Sequence, residues 1–162
     1  MRVQVLQRMR SDKRGKGLAV LAIALSVAGC SKQEETRVPV DCMVGASALR
    51  DALERAPARV ELGVRNVPLS ECIVRGSDSS DLQALGTVWV SVAAYNADLA
   101  RLNPKGAEAL RLGYLVGAAR RGAGRTQGVH EELLRRIEQE TIGVNTRSRA
   151  YQRGVRAGRE HG

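Results

Sequence analysis

From Met43 onward the chain is built on two hydrophobic periods. Met43, Ala46, Leu49, Ala52, Leu53 and Ala56 recur at helical spacing, with Arg50, Asp51, Glu54 and Arg55 facing away. They predict a helix that Pro57 ends, because the residue before a proline resists the α region. Val60, Leu62 and Val64 then alternate with Arg59, Glu61, Gly63 and Arg65, the pattern of a half-buried strand. Cys72 and Val74 alternate less cleanly with Glu71, Ile73 and Arg75, which leaves two readings open. One is a small hairpin closed by Asn66 to Ser70; the other is an irregular segment.

The rest of the pattern is helical. Gly76 to Asp81 reads as a loop, and Ser80 with Gln83 forms a capping-box signature. Asp78 and Asp81 lack the ligand ladder and terminal Glu of a calcium loop. Leu82, Leu85, Val88, Trp89, Val92, Ala93, Leu99 and Leu102 give the next helix a broad apolar face. Asn103-Pro104 is a second start signal, with Asn as cap and Pro at the first helical position. The helix it opens runs to about Arg121, and its Leu112–Ala119 centre is apolar nearly all round, which predicts burial. Leu133, Leu134, Ile137 and Thr141 stripe a helix over Val129–Ile142, with Glu131/Arg135 and Glu132/Arg136 as i,i+4 pairs. Finally, Arg149, Arg153 and Arg156 share one face of a short helix or lie in a disordered tail.

Small residues recur four apart: Ala93 and Ala97, Gly113 and Gly117, then Gly154, Gly158 and Gly162. An interior glycine costs a helix about 1 kcal/mol relative to Ala. Close approach of two helix backbones is the natural compensation. Tyr114-x-x-Gly117 and Tyr151-x-x-Gly154 echo each other without establishing a repeat.

The N-terminus follows a different logic. Arg2, Arg8, Arg10, Lys13, Arg14 and Lys16 precede the apolar run Leu18–Ala28, broken only by Ser26. Eleven helical residues extend roughly 16 Å, about half of a hydrocarbon core. A basic region followed by a short apolar one is the pattern of an export signal rather than a spanning helix. Val27-Ala28-Gly29-Cys30 then resembles the lipobox of bacterial lipoproteins, in which small residues precede the modified cysteine. The resemblance covers residues 1–30 only. It implies diacylglycerol on the Cys30 thiol, often with acylation of the new amino terminus, and residence outside the cytoplasmic membrane. Two or three acyl chains on one residue suffice for stable anchoring. Ser31 after the Cys resembles outer-membrane retention if the cell has two membranes; otherwise the cell membrane is the anchor site.

With Cys30 assigned to the anchor, Cys42 and Cys72 remain, an even count in an oxidising space. A disulfide between them is expected, with two buried thiols as the alternative; two cysteines without a nearby His make half a zinc site at best. The expected fold is mainly α, a small bundle of three to four helices with a disulfide-stapled N-terminal segment that is a β-hairpin or irregular. The expected organisation is a signal peptide (1–29), a tether (30–40), one helical domain (41–146) and a basic C-terminal tail or short helix (147–162).

Composition changes this picture mainly through charge. A hydrophobic fraction of 43% with 27% charged residues suits a folded domain and argues against wholesale disorder. The formal charge is +9. Residues 1–29 hold six of the bases and one acid, and residues 147–162 hold five Arg and Glu160. The intervening body has equal numbers of bases and acids. The excess positive charge therefore belongs to the export signal and to the C-terminal segment.

Signatures of catalysis are missing. His130-Glu131 begins like a zinc-protease helix, but Leu134 stands where the second ligand is needed. The sequence has no G-x-S-x-G, Walker or dinucleotide fingerprint, and Cys42 and Cys72 are not a C-x-x-C pair. With one Trp, three Tyr and no Phe, it offers no stacking platform for nucleic acid. No cofactor is expected. The expected function is a non-enzymatic binding or structural module of the cell envelope. The partners expected are the membrane, through the lipid anchor, and an envelope protein or anionic polymer met by Arg120, Arg121, Arg125, Arg149, Arg153 and Arg156. The alternative is an envelope hydrolase using Glu or His130 as acid–base groups. Metabolic labelling with palmitate is expected to mark the protein and to be lost in Cys30→Ala; undiminished labelling of that variant would contradict the lipobox reading.

Overall fold

Six helices and one short hairpin account for the described residues, which are 38–76, 79–126 and 128–162 of a computed structural model. All of them belong to a single unit, Gln33–Gly162. The signal segment, Cys30 and most of the tether lie outside the described residues. After a 3-10 turn at Val40–Cys42 come α1 (Ala46–Leu53), β1 (Glu61–Leu62), β2 (Val67–Pro68) and α2 (Leu69–Val74). Then follow α3 (Ser79–Leu102), α4 (Ala107–Ala123), α5 (Val129–Gln139) and α6 (Arg149–His161).

The mainly helical architecture matches the sequence pattern, while several boundaries move. The antiparallel hairpin pairs Glu61 with Pro68 and Leu62 with Val67. Its turn is Gly63–Asn66, and Cys72 and Val74 belong to helix α2 instead of a strand. α3 begins at Ser79, so Ser80 lies in its first turn and not at its cap. α4 begins at Ala107 with Gly106 as cap. Asn103 instead organises the preceding turn, its Oδ1 accepting from the Lys105 N–H at 3.3 Å and its carbonyl from the Gly106 N–H at 2.9 Å. On α5, Arg135 binds Glu132 through two hydrogen bonds of 2.7 Å, an i,i+3 pair in place of the expected i,i+4 pairs.

α4 is the central element and touches α1, α2, α3, α5 and α6. Its segment Leu112–Ala119 is buried throughout, as an all-round apolar helix requires. The Tyr114 hydroxyl accepts from the Val60 N–H at 2.9 Å in the core, and burial raises its pKa. Thus the helical body and the strand region share one core, which also includes Trp89, Leu49, Leu53 and Ile73.

The closest packing is between α4 and α6, which run parallel. A Cβ on Gly113 or Gly117 would fall on the Tyr151 or Val155 carbonyl, and one on Gly154 or Gly158 on the Leu110 or Tyr114 carbonyl. All four positions leave under 3.0 Å for that atom. The two helices therefore exchange equivalent contacts about an approximate two-fold axis. The glycine hydrogen in the Cβ direction points at a carbonyl of the other helix, the arrangement of a Cα–H···O contact. Residues 147–162 are thus no loose tail: α6 is built into the domain.

The N-terminal segment is held by two devices. Cys42 and Cys72 form a disulfide with a sequence separation of 30. Closing such a loop contributes roughly 3–4 kcal/mol on the chain-entropy account. Asp41, buried at 7% exposure, accepts from the Val64 N–H at 3.0 Å and from Arg65 Nε at 2.5 Å. Gly63 in the same turn has φ +66°, and a side chain there would strike the Asp41 carboxylate. One carboxylate thereby orders the hairpin turn.

The Arg65 hydrogen bond lowers the Asp41 pKa below its ordinary 3.8; burial opposes this and the Val64 N–H assists it. A carboxylate with a depressed folded pKa stabilises the fold above its unfolded pKa, and the contribution is lost as pH falls through the folded value. Asp41→Asn is therefore expected to lower the melting temperature at pH 7, with the gap to wild type narrowing as pH drops below 3.8. Melting curves from pH 7 to pH 2 check this, and a gap independent of pH would contradict it.

Candidate functional site

The six arginines that the sequence offers to an anion divide into two groups. Arg120 Nε donates to Glu138 Oε1 at 2.7 Å and so joins α4 to α5. Arg121 Nη1 donates to the carbonyls of Arg159 and Glu160, at 2.9 and 2.5 Å, at the C-terminal end of α6. Arg125 pairs with Glu71 of α2. These three tie elements together: Arg120 and Arg125 are paired with carboxylates, and Arg121 is held by backbone carbonyls.

Arg149, Arg153 and Arg156 behave differently. All three are exposed on α6, and none forms an ion pair with a described residue. Their placement follows from the inward face: Tyr151, Gly154, Val155, Ala157 and Gly158 are buried, which turns positions 149, 153 and 156 to solvent. Exposed Arg159 extends the row by one turn. The helix start is fixed by Ser148, whose Oγ accepts from the Tyr151 N–H at 3.2 Å. The glycine packing prevents α6 from sliding or rotating on α4, so the row has a defined direction and spacing.

At one end of this row lies a cleft of about 750 Å³. Asn103, Pro104 and Lys105 of the α3–α4 turn form one wall, and Asn145, Ser148, Arg149 and Ala150 form the other. Asn103 and Asn145 each use Oδ1 to accept a backbone N–H two residues ahead, at 3.3 and 3.2 Å. Their amide N–H groups, with the Lys105 and Arg149 cations, make the lining rich in donors. Glu108, in the first turn of α4, pairs with Arg111 at 3.5 Å, and its carboxylate lies beside the Asn103 amide at Gly106. Lys105 is absent from the sequence-derived set because nothing local relates its turn to the one before α6.

The acid–base candidates are occupied elsewhere. His130 is buried, and its Nε2–H donates to the Gly76 carbonyl at 2.7 Å, joining the start of α5 to the end of α2. Glu132 holds Arg135 and Glu138 holds Arg120. Glu131 is exposed near the start of α5 and Glu140 lies just past its end. Among the described residues, no group of three or more His, Cys, Asp or Glu side chains is placed to hold a metal ion. Also among the described residues, no helix is long and apolar enough to cross a membrane. Cys30 lies outside them, and Cys42 and Cys72 are joined to each other. No protein-family model matches this chain, and no curated protein or solved structure is significantly similar to it.

Proposed function

We propose that the protein is a lipid-anchored, extracytoplasmic module of the bacterial cell envelope that binds a polyanionic polymer without catalysing a reaction. The observation that carries this reading is the row formed by Arg149, Arg153 and Arg156. These are exposed cations without acidic partners, on a helix locked to the core by backbone contacts. A fixed row of like charge is expensive in self-repulsion and contributes nothing to the core, but it suits a linear polymer carrying charge at regular intervals. The anchoring part of the proposal rests on the lipobox resemblance at Val27–Cys30. An oxidising compartment agrees with the Cys42–Cys72 disulfide. The neutral body and basic α6 together describe a protein that meets its partner at one helix face.

Substitution tests this more cleanly than truncation, since removing α6 would also expose Gly113 and Gly117 of α4. Full-length protein in uncharged detergent is expected to bind long-chain polyphosphate, more weakly as salt rises. Each exposed charge contributes about 0.5–1 kcal/mol, so Arg149→Gln/Arg153→Gln/Arg156→Gln should weaken binding at least about tenfold. Unchanged affinity in the triple variant, at an unchanged melting temperature, would contradict the proposal.

A further inference from the structure

The four most exposed large apolar residues of the described surface fall in two places: Val40 and Val64 in the N-terminal segment, and Leu102 and Ile142 at the turns after α3 and α5. Leu102 is 84% exposed at the end of α3, and Ile142 is 74% exposed just after α5. Arg101 brings their two turns together: its Nε and Nη2 donate to the Ile142 carbonyl at 3.1 and 2.9 Å, and Nη2 also reaches the Glu140 carbonyl at 2.9 Å. Leu102 immediately precedes the wall Asn103–Lys105 of the cleft, and Ile142 lies three residues before Asn145 on the other wall. Two aliphatic side chains that the fold leaves in water thus lie next in sequence to the two walls of the cleft. Lys105 and Arg149 line it, and Arg147 is exposed on the same turn; none of these cations has an ion pair with a described residue.

We infer that this cleft is a docking site for the headgroup phosphate of an anionic phospholipid, with Leu102 and Ile142 entering the interfacial layer beside it. A phosphate needs donors and positive charge, which Lys105, Arg149 and the amides of Asn103 and Asn145 supply. A free phosphate or sugar phosphate would be served by those groups alone and would give Leu102 and Ile142 nothing to do. A lipid satisfies both observations, because its acyl boundary lies beside its charge. No acidic side chain lines the cleft itself, and the nearby Glu108 pairs with Arg111.

The location of the cleft fits a second surface. The N-terminal segment is stapled to α2, and Ser70 of α2 donates to the Gly162 carbonyl at 2.5 Å, while the space at Gly122 is filled by Ser70 and Ile73. The chain thus joins the domain near the C-terminal ends of α4 and α6, and the cleft lies at their N-terminal ends. The 17 residues of α4 separate the two by roughly 25 Å. The site deepens the anion-binding proposal and rests on it only through Arg149.

The test uses full-length protein anchored in an immobilised phosphatidylcholine bilayer, over which vesicles of phosphatidylglycerol or of phosphatidylcholine are passed. Capture of phosphatidylglycerol vesicles at least tenfold above phosphatidylcholine is expected. Lys105→Gln/Arg149→Gln and, separately, Leu102→Ser/Ile142→Ser are each expected to reduce it at least tenfold. All four side chains are exposed or at a surface cleft, and circular dichroism checks that the variants fold. Capture by the Lys105/Arg149 variant equal to wild type would overturn the cleft. Unchanged capture by the Leu102/Ile142 variant, with full competition by free glycerol phosphate, would assign the site to soluble phosphate and overturn the lipid. If Arg153→Gln/Arg156→Gln alone abolished capture, the α6 row would be the binding surface and the cleft inference would fail. Loss of polyphosphate binding with vesicle capture intact would instead leave the cleft standing and remove the polymer.

Discussion

Glycine is an unfavourable choice for the middle of a helix, and α4 and α6 each contain two at interior positions that face the other helix. The loss, about 1 kcal/mol per residue relative to Ala, is offset where the missing side chain lets two backbones touch. Gly113 and Gly117 receive the carbonyls of Tyr151 and Val155, while Gly154 and Gly158 receive those of Leu110 and Tyr114. Packing at this distance is steep in energy, since neither partner can shift by even a methyl group without collision. The position of α6, the direction of its arginine row and the shape of the terminal cleft all depend on it.

The parallel orientation has an electrostatic consequence. Two aligned helix dipoles place their positive ends together and their negative ends together. At the negative end, Arg121 donates to the α6 carbonyls of Arg159 and Glu160, and Ser70 donates to the Gly162 carbonyl. The same device recurs on α5, where Arg101 binds the carbonyls of Glu140 and Ile142. Several arginines of this basic chain therefore serve as helix caps. At the positive end, Glu108 lies in the first turn of α4 while α6 has no acid there, and Lys105 and Arg149 add positive charge at the cleft.

The parts of this structure that are visible in the sequence are those written locally. The long periodic stretches specify α3, α4 and α5, and counting cysteines after Cys30 leaves only one pair. The glycine spacing shows that some helices approach closely, but not which ones, because a fourfold interval carries no information about its partner. α2 is invisible for a related reason: Leu69–Val74 is too short and apolar for periodicity to separate helix from strand. Asn103-Pro104 reads correctly as a boundary, yet Asn103 caps a turn and leaves Gly106 to open α4. The roles of the arginines are least legible. Arg120 meets Glu138, Arg125 meets Glu71 and Arg121 meets the end of α6 only after the helices have packed.

The account turns on the claim that backbone contact between α4 and α6 holds the C-terminal arginine helix in place. Urea unfolding of Gly117→Ala tests it most directly, because two effects of the substitution have opposite signs. Helix propensity alone would stabilise the variant by about 1 kcal/mol. A methyl group driven against the Val155 carbonyl should instead destabilise it by about 1–3 kcal/mol and loosen α6. A net loss of stability is the predicted result, and a gain near the propensity value would contradict the interlocked pair.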